Sequence, residues 1–139
     1  MSEIIQIEQI FPSLTWRIRQ QAMYPEKEIT EMELADDFEG THFGLYFNHE
    51  LTGVVSLFIK DGIAQFRKMA VLPTKQGNGL GKLLLQYLID YCKQQPVKLL
   101  WCNARVSAIG FYTKIGFVTE GEPYQQNELA YIKMRILFS

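Results

Sequence analysis

The sequence predicts an α/β protein whose central sheet is mixed, mostly antiparallel, and covered by helices on both faces. Three observations support this prediction. Apolar and polar residues alternate between His42 and Val71, the hydrophobic period changes to about 3.6 after Val71, and a dense apolar run follows at Val97–Cys102. Along the chain the predicted order is β-α-β-β-β-α-β-α-β-β, which gives a sheet of six to seven strands.

The composition is that of an ordinary globular domain. The 139 residues are 47% hydrophobic and 21% charged, which excludes a disordered chain and allows a core without disulfides or metals. We expect a single domain over residues 1–139, because no repeat, low-complexity tract or linker interrupts the sequence. A formal net charge of -1 provides no overall attraction to nucleic acid or to an anionic membrane.

The N-terminus and the cysteines predict a cytoplasmic protein without a structural metal. The first residues are acidic where a signal peptide would be basic, and no apolar run reaches the ~18 residues that span a bilayer. Cys92 and Cys102 form no CxxC pair, and His42 and His49 do not complete a zinc-ligand pattern. We therefore expect both cysteines to be small buried hydrophobic residues and not nucleophiles.

The first half of the chain is predicted to contain a strand, a helix and a meander. Ile4–Ile10 is apolar and β-branched enough for a strand, and Ser13 can cap a helix that ends near Tyr24, before Pro25. The acidic segment 25–40 has no wide apolar stripe, so we expect mostly loop. Three strands then follow, joined by turns at Asn48-His49-Glu50 and Asp61-Gly62: His42–Phe47, Thr52–Lys60 and Ile63–Val71.

The second half alternates helices with strands. A broad apolar face that includes Leu80, Leu84 and Leu88 predicts a helix that ends before Pro96. The remaining predicted elements are a buried strand at Val97–Cys102, a short helix between a Ser107 cap and Gly116, and closing strands at Phe117–Thr119 and Leu129–Leu137.

A glycine-rich loop connects the strand that ends at Val71 to the long helix. After Val71 the sequence is LPTKQGNGLGK, with glycines at 77, 79 and 81. Glycines let backbone N–H groups approach a phosphate closely, and a helix start adds unpaired N–H donors and the positive end of the helix dipole. The segment therefore predicts an anion-binding loop, although a plain turn with a helix cap would use the same residues.

The spacing within this loop disfavours two common nucleotide sites. A P-loop would need glycine in place of Gln76 and a metal-binding serine or threonine in place of Leu83. A dinucleotide fingerprint would need a third glycine in place of Lys82, and a βαβ unit in place of the hairpins. We therefore expect neither magnesium-nucleotide nor NAD chemistry.

The loop and a second motif resemble those of the GNAT superfamily of N-acetyltransferases. Val71-x-Pro73-x-x-Gln76-x-x-Gly79-x-Gly81 is similar to the superfamily's acetyl-CoA pyrophosphate loop, Q/R-x-x-G-x-G/A. The segment 103–117, NARVSAIGFYTKIGF, resembles its A-x-x-x-Y-x-x-x-G-F motif. The resemblance is strong over residues 66–117. It implies a GNAT-like acyl-CoA N-acyltransferase fold and an acetyl-CoA-dependent N-acetyltransferase.

The resemblance also implies a site built around acetyl-CoA as co-substrate, with no metal. The backbone amide of Val71 would donate to the thioester oxygen, and Tyr112 would protonate the departing thiolate. The loop would hold the pyrophosphate, while the β-strand backbone would pair with the pantetheine arm. The implied cofactor-binding residues are Met69, Ala70, Val71, Gln76, Gly77, Asn78, Gly79, Leu80, Gly81, Lys82, Asn103, Ala108, Phe111 and Tyr112.

Several roles stay open at this point. GNAT proteins commonly carry asparagine seven residues before the tyrosine, where this chain has Arg105, so the cofactor contact falls to Asn103 or to Arg105. Arg67 and Lys68 fit either a pair on the sheet face or a cofactor contact. A base must remove a proton from the amine, and the candidates are His42, His49, Glu120, Glu122 and Glu128.

The only sequence feature that predicts the acceptor is the negative charge of one segment. The acidic segment 25–40, with Glu31, Glu33, Asp36 and Asp37, would attract a cationic amine, either a polyamine-like small molecule or a lysine-rich peptide. The resemblance to GNAT proteins also implies a surface for a homodimer at the late strands. Two alternatives to an enzyme remain: a regulatory domain that binds acyl-CoA without turnover, and an interaction protein whose glycine loop is only a turn.

Overall fold

The structure, a computed structural model, describes residues 2–139. Within this range seven strands form one sheet with the order β1-β2-β3-β4-β5-β7-β6. The strands are β1 (Ile5–Ile10), β2 (Thr41–Phe47), β3 (Glu50–Lys60), β4 (Ile63–Val71), β5 (Leu99–Arg105), β6 (Val118–Gln126) and β7 (Leu129–Leu137). The helices are α1 (Leu14–Met23), α2 (Leu80–Lys93) and α3 (Ile109–Ile115). The predicted order of strands and helices is confirmed.

Three two-residue hairpin turns set the register of the sheet. Asp61-Gly62 connects β3 to β4 with φ values of 53° and 80°, as the sequence predicts. The first turn is tighter than expected, because Phe47 pairs with Glu50 and leaves only Asn48-His49 between the strands. A third hairpin, through Asn127-Glu128, extends β6 to Gln126, well beyond the short strand predicted at Phe117–Thr119.

Adjacent residues of β3 face opposite sides of the sheet and pack under different helices. Val54 joins a small cluster with Ile18 of α1, whereas Val55 belongs to the larger core cluster beneath α2. α3 packs on the same side as α2, since its Ile109 and Tyr112 contact the larger cluster. The prediction of helices on both faces is therefore confirmed.

Helix capping differs from the prediction at both serines. Ser13 precedes α1, but its backbone is helical and its side chain makes no capping hydrogen bond. Ser107 lies inside a short 3-10 turn, Val106–Ala108, so α3 begins at Ile109 and not after a serine cap. β5 is also shifted from the predicted Val97–Cys102 to Leu99–Arg105.

A buried polar cluster fixes the acidic segment 25–40 against the sheet. Arg19 donates to both carboxylate oxygens of Asp37, at 2.8 and 2.9 Å, and to Ser56 Oγ at 2.8 Å. His42 contacts the same Ser56 Oγ through Nδ1 and the Asp37 carbonyl through Nε2, both at 2.7 Å. Most of the segment is loop, as expected, but it also contains two 3-10 turns, Ile29–Met32 and Asp37–Glu39.

The sheet separates between its two central strands. β4 and β5 run parallel and pair only at Ile63–Gln65 with Leu99–Trp101. Farther along, β4 carries a bulge, because Val54 pairs with Ala70 while Ser56 pairs with Arg67. Lys68, within the bulge, has φ of 56°, in the left-handed region. The free parts of the two strands enclose a cleft.

Candidate active site

The cleft between β4 and β5 has a volume of about 570 Å³. Residues 66–71 of β4 form one wall, and Cys102, Asn103 and Arg105 of β5 form the other. Ala108 and Tyr112 complete the second wall. The structure thus brings together the predicted residues Met69, Ala70, Val71, Gln76, Asn103, Ala108 and Tyr112 along one cavity.

The glycine-rich loop lies at the end of β4 and is held in place by Gln76. The side-chain amide of Gln76 donates to the Val71 carbonyl at 2.9 Å, which closes the loop against the strand. Asn78 donates to the Lys75 carbonyl at 3.0 Å. Leu80 anchors the far end of the loop because its side chain is buried in the larger core cluster. These contacts give the loop a defined shape.

The start of α2 presents unpaired backbone donors beside this loop. The first intrahelical hydrogen bond joins Leu83 N to Gly79 O, at 3.2 Å, so the N–H groups of Leu80, Gly81 and Lys82 precede the helical ladder. A Cβ atom added at Gly77, Gly79 or Gly81 would have no neighbour within 4 Å. The loop is thus an open surface with the geometry of an anion site, although past Gln76 its residues do not line the cleft itself.

Tyr112 projects from α3 into the cleft within an aromatic cluster. Its ring lies 6.1 Å from Phe66, 5.7 Å from Phe117 and 5.1 Å from Phe111, centroid to centroid. Burial raises the pKa of the Tyr112 phenol above its usual value of 10.0, and neighbouring Cys102 adds to the shift. The phenol is therefore protonated at neutral pH. Phe111, in contrast, supports this ring from outside the cleft and is 37% exposed.

A family model described as an acetyltransferase (GNAT) domain matches residues 17–138 of this chain. The chain belongs to the GNAT acetyltransferase family. Over 130 residues it is 25% identical to YitI, an uncharacterized N-acetyltransferase of Bacillus subtilis strain 168, covering 87% of both chains. It is also 32% identical over 114 residues to an uncharacterized N-acetyltransferase of Bacillus mycoides strain KBAB4, covering 70% of this chain and 68% of the relative. N-acetyltransferase activity follows at this general level.

Solved GNAT structures share the fold over nearly the full chain. A putative N-acetyltransferase from Lactobacillus plantarum superposes with a TM-score of 0.83 at 16% identity, over 99% of each chain. A GNAT family acetyltransferase from Elizabethkingia anophelis, solved with acetyl-CoA bound, gives a TM-score of 0.75 at 22% identity, over 96% of this chain and 98% of that one. The predicted GNAT fold is confirmed.

The predicted base candidates of this GNAT domain lie outside the cleft. His42, one of the predicted base candidates, is not in the cleft, because it is 1% exposed and belongs to the buried cluster with Asp37 and Ser56. Glu120 forms salt bridges to Lys133 at 3.2 Å and to Arg135 at 2.6 Å. These hydrogen bonds and charges lower the pKa of Glu120. The other three candidates, His49, Glu122 and Glu128, do not line the cleft.

None of the four carboxylates predicted to form an acidic rim, those of Glu31, Glu33, Asp36 and Asp37, lines the cleft. Asp37 is buried, and although burial alone would raise its pKa, hydrogen bonds from Arg19 and the Leu34 amide hold the pKa below 3.8. Asp36 pairs with Arg67 at 3.0 Å. Glu31 accepts a hydrogen bond from the Glu28 amide at 2.8 Å within its own 3-10 turn. The carboxylate of this segment that lines the cleft is instead Glu26.

Two further walls of the cleft are not predicted by the sequence motifs. The end of α1 and the residues after it contribute Ala22, Met23, Tyr24 and Glu26, and the β6–β7 hairpin contributes Asn127, Leu129 and Tyr131. Arg67 and Lys68 are not paired with each other: Arg67 lies 4.3 Å from the Phe58 ring, and Lys68 donates to Tyr24 Oη at 2.9 Å. Local sequence patterns do not predict these walls, because their residues are far apart in the sequence and meet only in the folded chain.

Among residues 2–139, no three His, Cys, Asp or Glu side chains are grouped closely enough to hold a metal ion. None of the helices described within this range is long and apolar enough to cross a membrane.

Proposed function

We propose that this GNAT domain, comprising residues 1–139, transfers the acetyl group of acetyl-CoA to a primary amine by direct attack of the amine on the thioester. The observation that supports this most is the separation of β4 from β5 into a cleft that ends at the open glycine loop and contains Tyr112. One continuous sheet across the chain supports a single domain. The match to the GNAT family supports the same donor.

Cofactor binding is assigned mainly to backbone groups. In this proposal the N–H groups of the loop from Gln76 to Lys82 hold the pyrophosphate, and the free edge of β4 at Met69, Ala70 and Val71 pairs with the pantetheine arm. The side chains of Asn103 and Arg105, on the opposite wall, are placed to contact the same ligand. Ala108 lies beside them, where a small side chain leaves room.

The transfer step needs an electrophile, a proton donor and an unprotonated amine. The amine nitrogen attacks the carbonyl carbon while the Val71 N–H stabilises the oxygen, a contribution typically worth about 3–4 kcal/mol. The carbon–sulfur bond then breaks, and Tyr112 donates its proton to the thiolate. The proton lost by the amine leaves through Glu26, the carboxylate that lines the cleft within residues 2–139, or through water.

Removing the amine proton is a substantial part of the barrier. Deprotonating an alkyl ammonium with a pKa near 10.4 costs about 4.6 kcal/mol at pH 7. Because Glu26 is exposed to solvent, its contribution is to orient the ammonium and pass the proton to water.

Direct attack, without an acetyl-enzyme, is supported by the state of the cysteines. Cys102 touches the cleft, but burial raises the pKa of its thiol to about 12. Burial likewise raises the pKa of Cys92 to about 11. Both thiols are therefore protonated at neutral pH, and a protonated thiol is a poor nucleophile.

The first experiment is a calorimetric titration with acetyl-CoA, CoA and ATP, followed by thiol release across a panel of amines. We expect acetyl-CoA to bind, ATP not to bind, and selected amines to release thiol. Binding without release from any amine would instead favour a regulatory domain that binds acyl-CoA. No binding of acetyl-CoA would overturn the proposal and leave the glycine loop as a simple turn.

A further inference from the structure

Lys68 occupies an unusual position in the cleft. Its backbone has φ of 56° at the β4 bulge, a conformation that a lysine adopts only when the surrounding structure holds it. Its ammonium donates to Tyr24 Oη at 2.9 Å and lies 4.9 Å from the Tyr24 ring. A phenol positions an ammonium but does not neutralise it. Within residues 2–139, Lys68 takes part in no salt bridge.

The other charges in the cleft are arranged differently. Arg67 is already matched by Asp36, with two contacts of 3.0 and 3.1 Å. Arg105 stands on the β5 wall, opposite Lys68. Glu26 follows α1, near the tyrosine that holds Lys68, and within the described residues it too has no salt-bridge partner. Lys27 Nζ also lies 5.1 Å from the Tyr24 ring, but Lys27 does not line the cleft. On the α1 side the cleft lining therefore contains one cation, Lys68, and one carboxylate, Glu26, that have no salt-bridge partner within the described residues.

The face of the sheet distinguishes an acceptor site from the cofactor site. α2, whose N-terminus carries the glycine loop, and α3, which carries Tyr112, both pack on the larger core cluster. Tyr24 ends α1 on the opposite face, where Ala70 and Leu72 pack. The Lys68 ammonium is directed to the α1 face, away from the loop proposed for the pyrophosphate. A cation there is placed for the second substrate.

We infer that the acceptor is a small amine that also carries a carboxylate, with Lys68 binding the carboxylate and Glu26 facing the ammonium. The inference rests on the proposed acetyl transfer. It replaces the cationic acceptor expected from the acidic segment, because none of the four carboxylates invoked for it, those of Glu31, Glu33, Asp36 and Asp37, lines the cleft. Asp36 and Asp37 are in addition paired with arginines. A polyamine would place a second positive charge beside Lys68, which is unfavourable.

The test uses acceptors that differ only in the carboxylate. Thiol release is measured with a panel of free amino acids, with their amides, and with the corresponding decarboxylated amines. The acceptor that works best is then compared in the wild type, in Lys68→Met and in the control Lys93→Met, whose exposed side chain lies at the end of α2. Methionine keeps the length of the lysine stem and removes the charge.

We expect a free amino acid to be preferred over its amide, and Lys68→Met to raise its KM by about ten- to hundredfold. The KM for the amide should change little, and Lys93→Met should behave as wild type. Equal losses for the acid and the amide in Lys68→Met, or preference for a polyamine, would overturn the inference. Neither result affects the proposed function, which fails only if acetyl-CoA does not bind or no amine releases thiol.

A second measurement covers the case in which acetyl-CoA binds but no amine of the panel turns over. Calorimetric titration with the N-acetyl amino acids, in the presence of CoA, compares the wild type with Lys68→Met. Binding that is lost in Lys68→Met supports the carboxylate site. Absence of any such binding, or binding that is the same in both proteins, overturns it.

Discussion

Tyr112 combines a polar function with an apolar setting. Its ring is packed among Phe66, Phe111 and Phe117, so the position of the hydroxyl is set by side chains that a substitution at the hydroxyl leaves in place. Removing only the oxygen therefore tests the chemistry with little effect on packing.

We expect Tyr112→Phe to lower kcat by about a hundredfold or more, the usual scale of general-acid catalysis, and to leave the Kd for acetyl-CoA nearly unchanged. Thiol release and calorimetry measure the two quantities. The matched control is Tyr91→Phe, on α2, whose ring lies 5.0 Å from Phe43 and outside the cleft. An unchanged kcat in Tyr112→Phe would exclude this residue as the acid.

The raised pKa of Tyr112 adds an expectation for the pH profile. Because burial raises this pKa above 10.0, the acid form persists throughout the neutral and mildly alkaline range. We therefore expect that ionisation of Tyr112 causes no decline of kcat below pH 10. In this range the pH profiles of the wild type and of Tyr112→Phe should have the same shape. A descending limb near pH 8 that the substitution removes would contradict this assignment.

Cys102 is the second residue whose chemistry can be tested in isolation. Since burial raises the pKa of its thiol to about 12, we expect Cys102→Ala to retain kcat within a few-fold while losing stability, because the residue is only 2% exposed. Mass spectrometry of the wild type after addition of acetyl-CoA should detect no acetylated cysteine. Cys92→Ala is the control for the loss of a buried thiol that does not line the cleft.

At the start of α2, a single substitution is expected to change the stability of the fold and the affinity for the ligand in opposite directions. Gly81 is helical with open space around it, so Gly81→Ala is expected to stabilise the fold by about 0.4–1 kcal/mol. The added methyl group would, however, occupy the surface proposed for the pyrophosphate. We expect the midpoint of urea unfolding to rise slightly and the Kd for acetyl-CoA to rise about tenfold, or about 1.4 kcal/mol. A Kd equal to that of the wild type would remove this surface from the cofactor site.

The buried polar cluster links the stability of the acidic segment to pH. Burial lowers the pKa of His42 below 6.5, so the unfolded chain takes up this proton first as the pH falls. The free energy of unfolding should therefore decrease from about pH 6.5 downward to the folded-state pKa, by at most about 1.4 kcal/mol per pH unit. Urea unfolding at several pH values measures it, and His42→Gln should lack this component.

Asp37 contributes to the free energy of unfolding over a different pH range. Its folded-state pKa lies below 3.8, so its stabilisation is present above that value and is lost as the pH falls through the folded-state pKa. At neutral pH, Asp37→Asn should destabilise the fold by about 3–5 kcal/mol, because it leaves Arg19 buried without its ion-pair partner. Loss of less than about 1 kcal/mol would mean that Arg19 reaches water or another acceptor.

The sequence predicted the elements whose signals are local. The Asp61-Gly62 turn, the apolar face of α2 and the glycine loop each depend on residues within a few positions, and all three occur as expected. β6 was underestimated because all nine of its residues are exposed and give no hydrophobic alternation. The two serine caps do not form, because a hydrogen-bonded turn leads into each helix instead: Leu14 N–H donates to the Phe11 carbonyl before α1, and the 3-10 turn Val106–Ala108 precedes α3.

Only the part of the candidate site that the two sequence motifs form could be predicted. Met69, Val71, Gln76 and Tyr112 lie along the cleft as the motifs imply. The α1 side depends instead on contacts between distant positions, such as Lys68 with Tyr24, 44 residues apart, and Arg19 with Asp37, 18 residues apart. Nothing local marks Asp37 as a buried ion-pair partner, so its neighbours made it resemble a surface residue.

For the whole molecule, the two edges of the sheet determine how copies of the chain can meet. β6 is one edge, and its pairing with β7 shifts register between Glu120 and Tyr124, around Gly121 and Pro123. A bulge and a proline both interrupt strand addition. The homodimer through the late strands stays a prediction, and a continuous sheet across two copies at this edge is disfavoured.

The separation of β4 from β5 also affects the amount of folded protein. A ligand that fills this gap binds the native chain and not the unfolded one, so acetyl-CoA at a hundred times its Kd should stabilise the fold by about 2.7 kcal/mol. Thermal unfolding should show a higher Tm with acetyl-CoA than with ATP, and backbone amides of residues 66–71 should exchange hydrogen more slowly. Since proteases remove the unfolded fraction, the lifetime of this protein in a cell would follow the supply of its own donor.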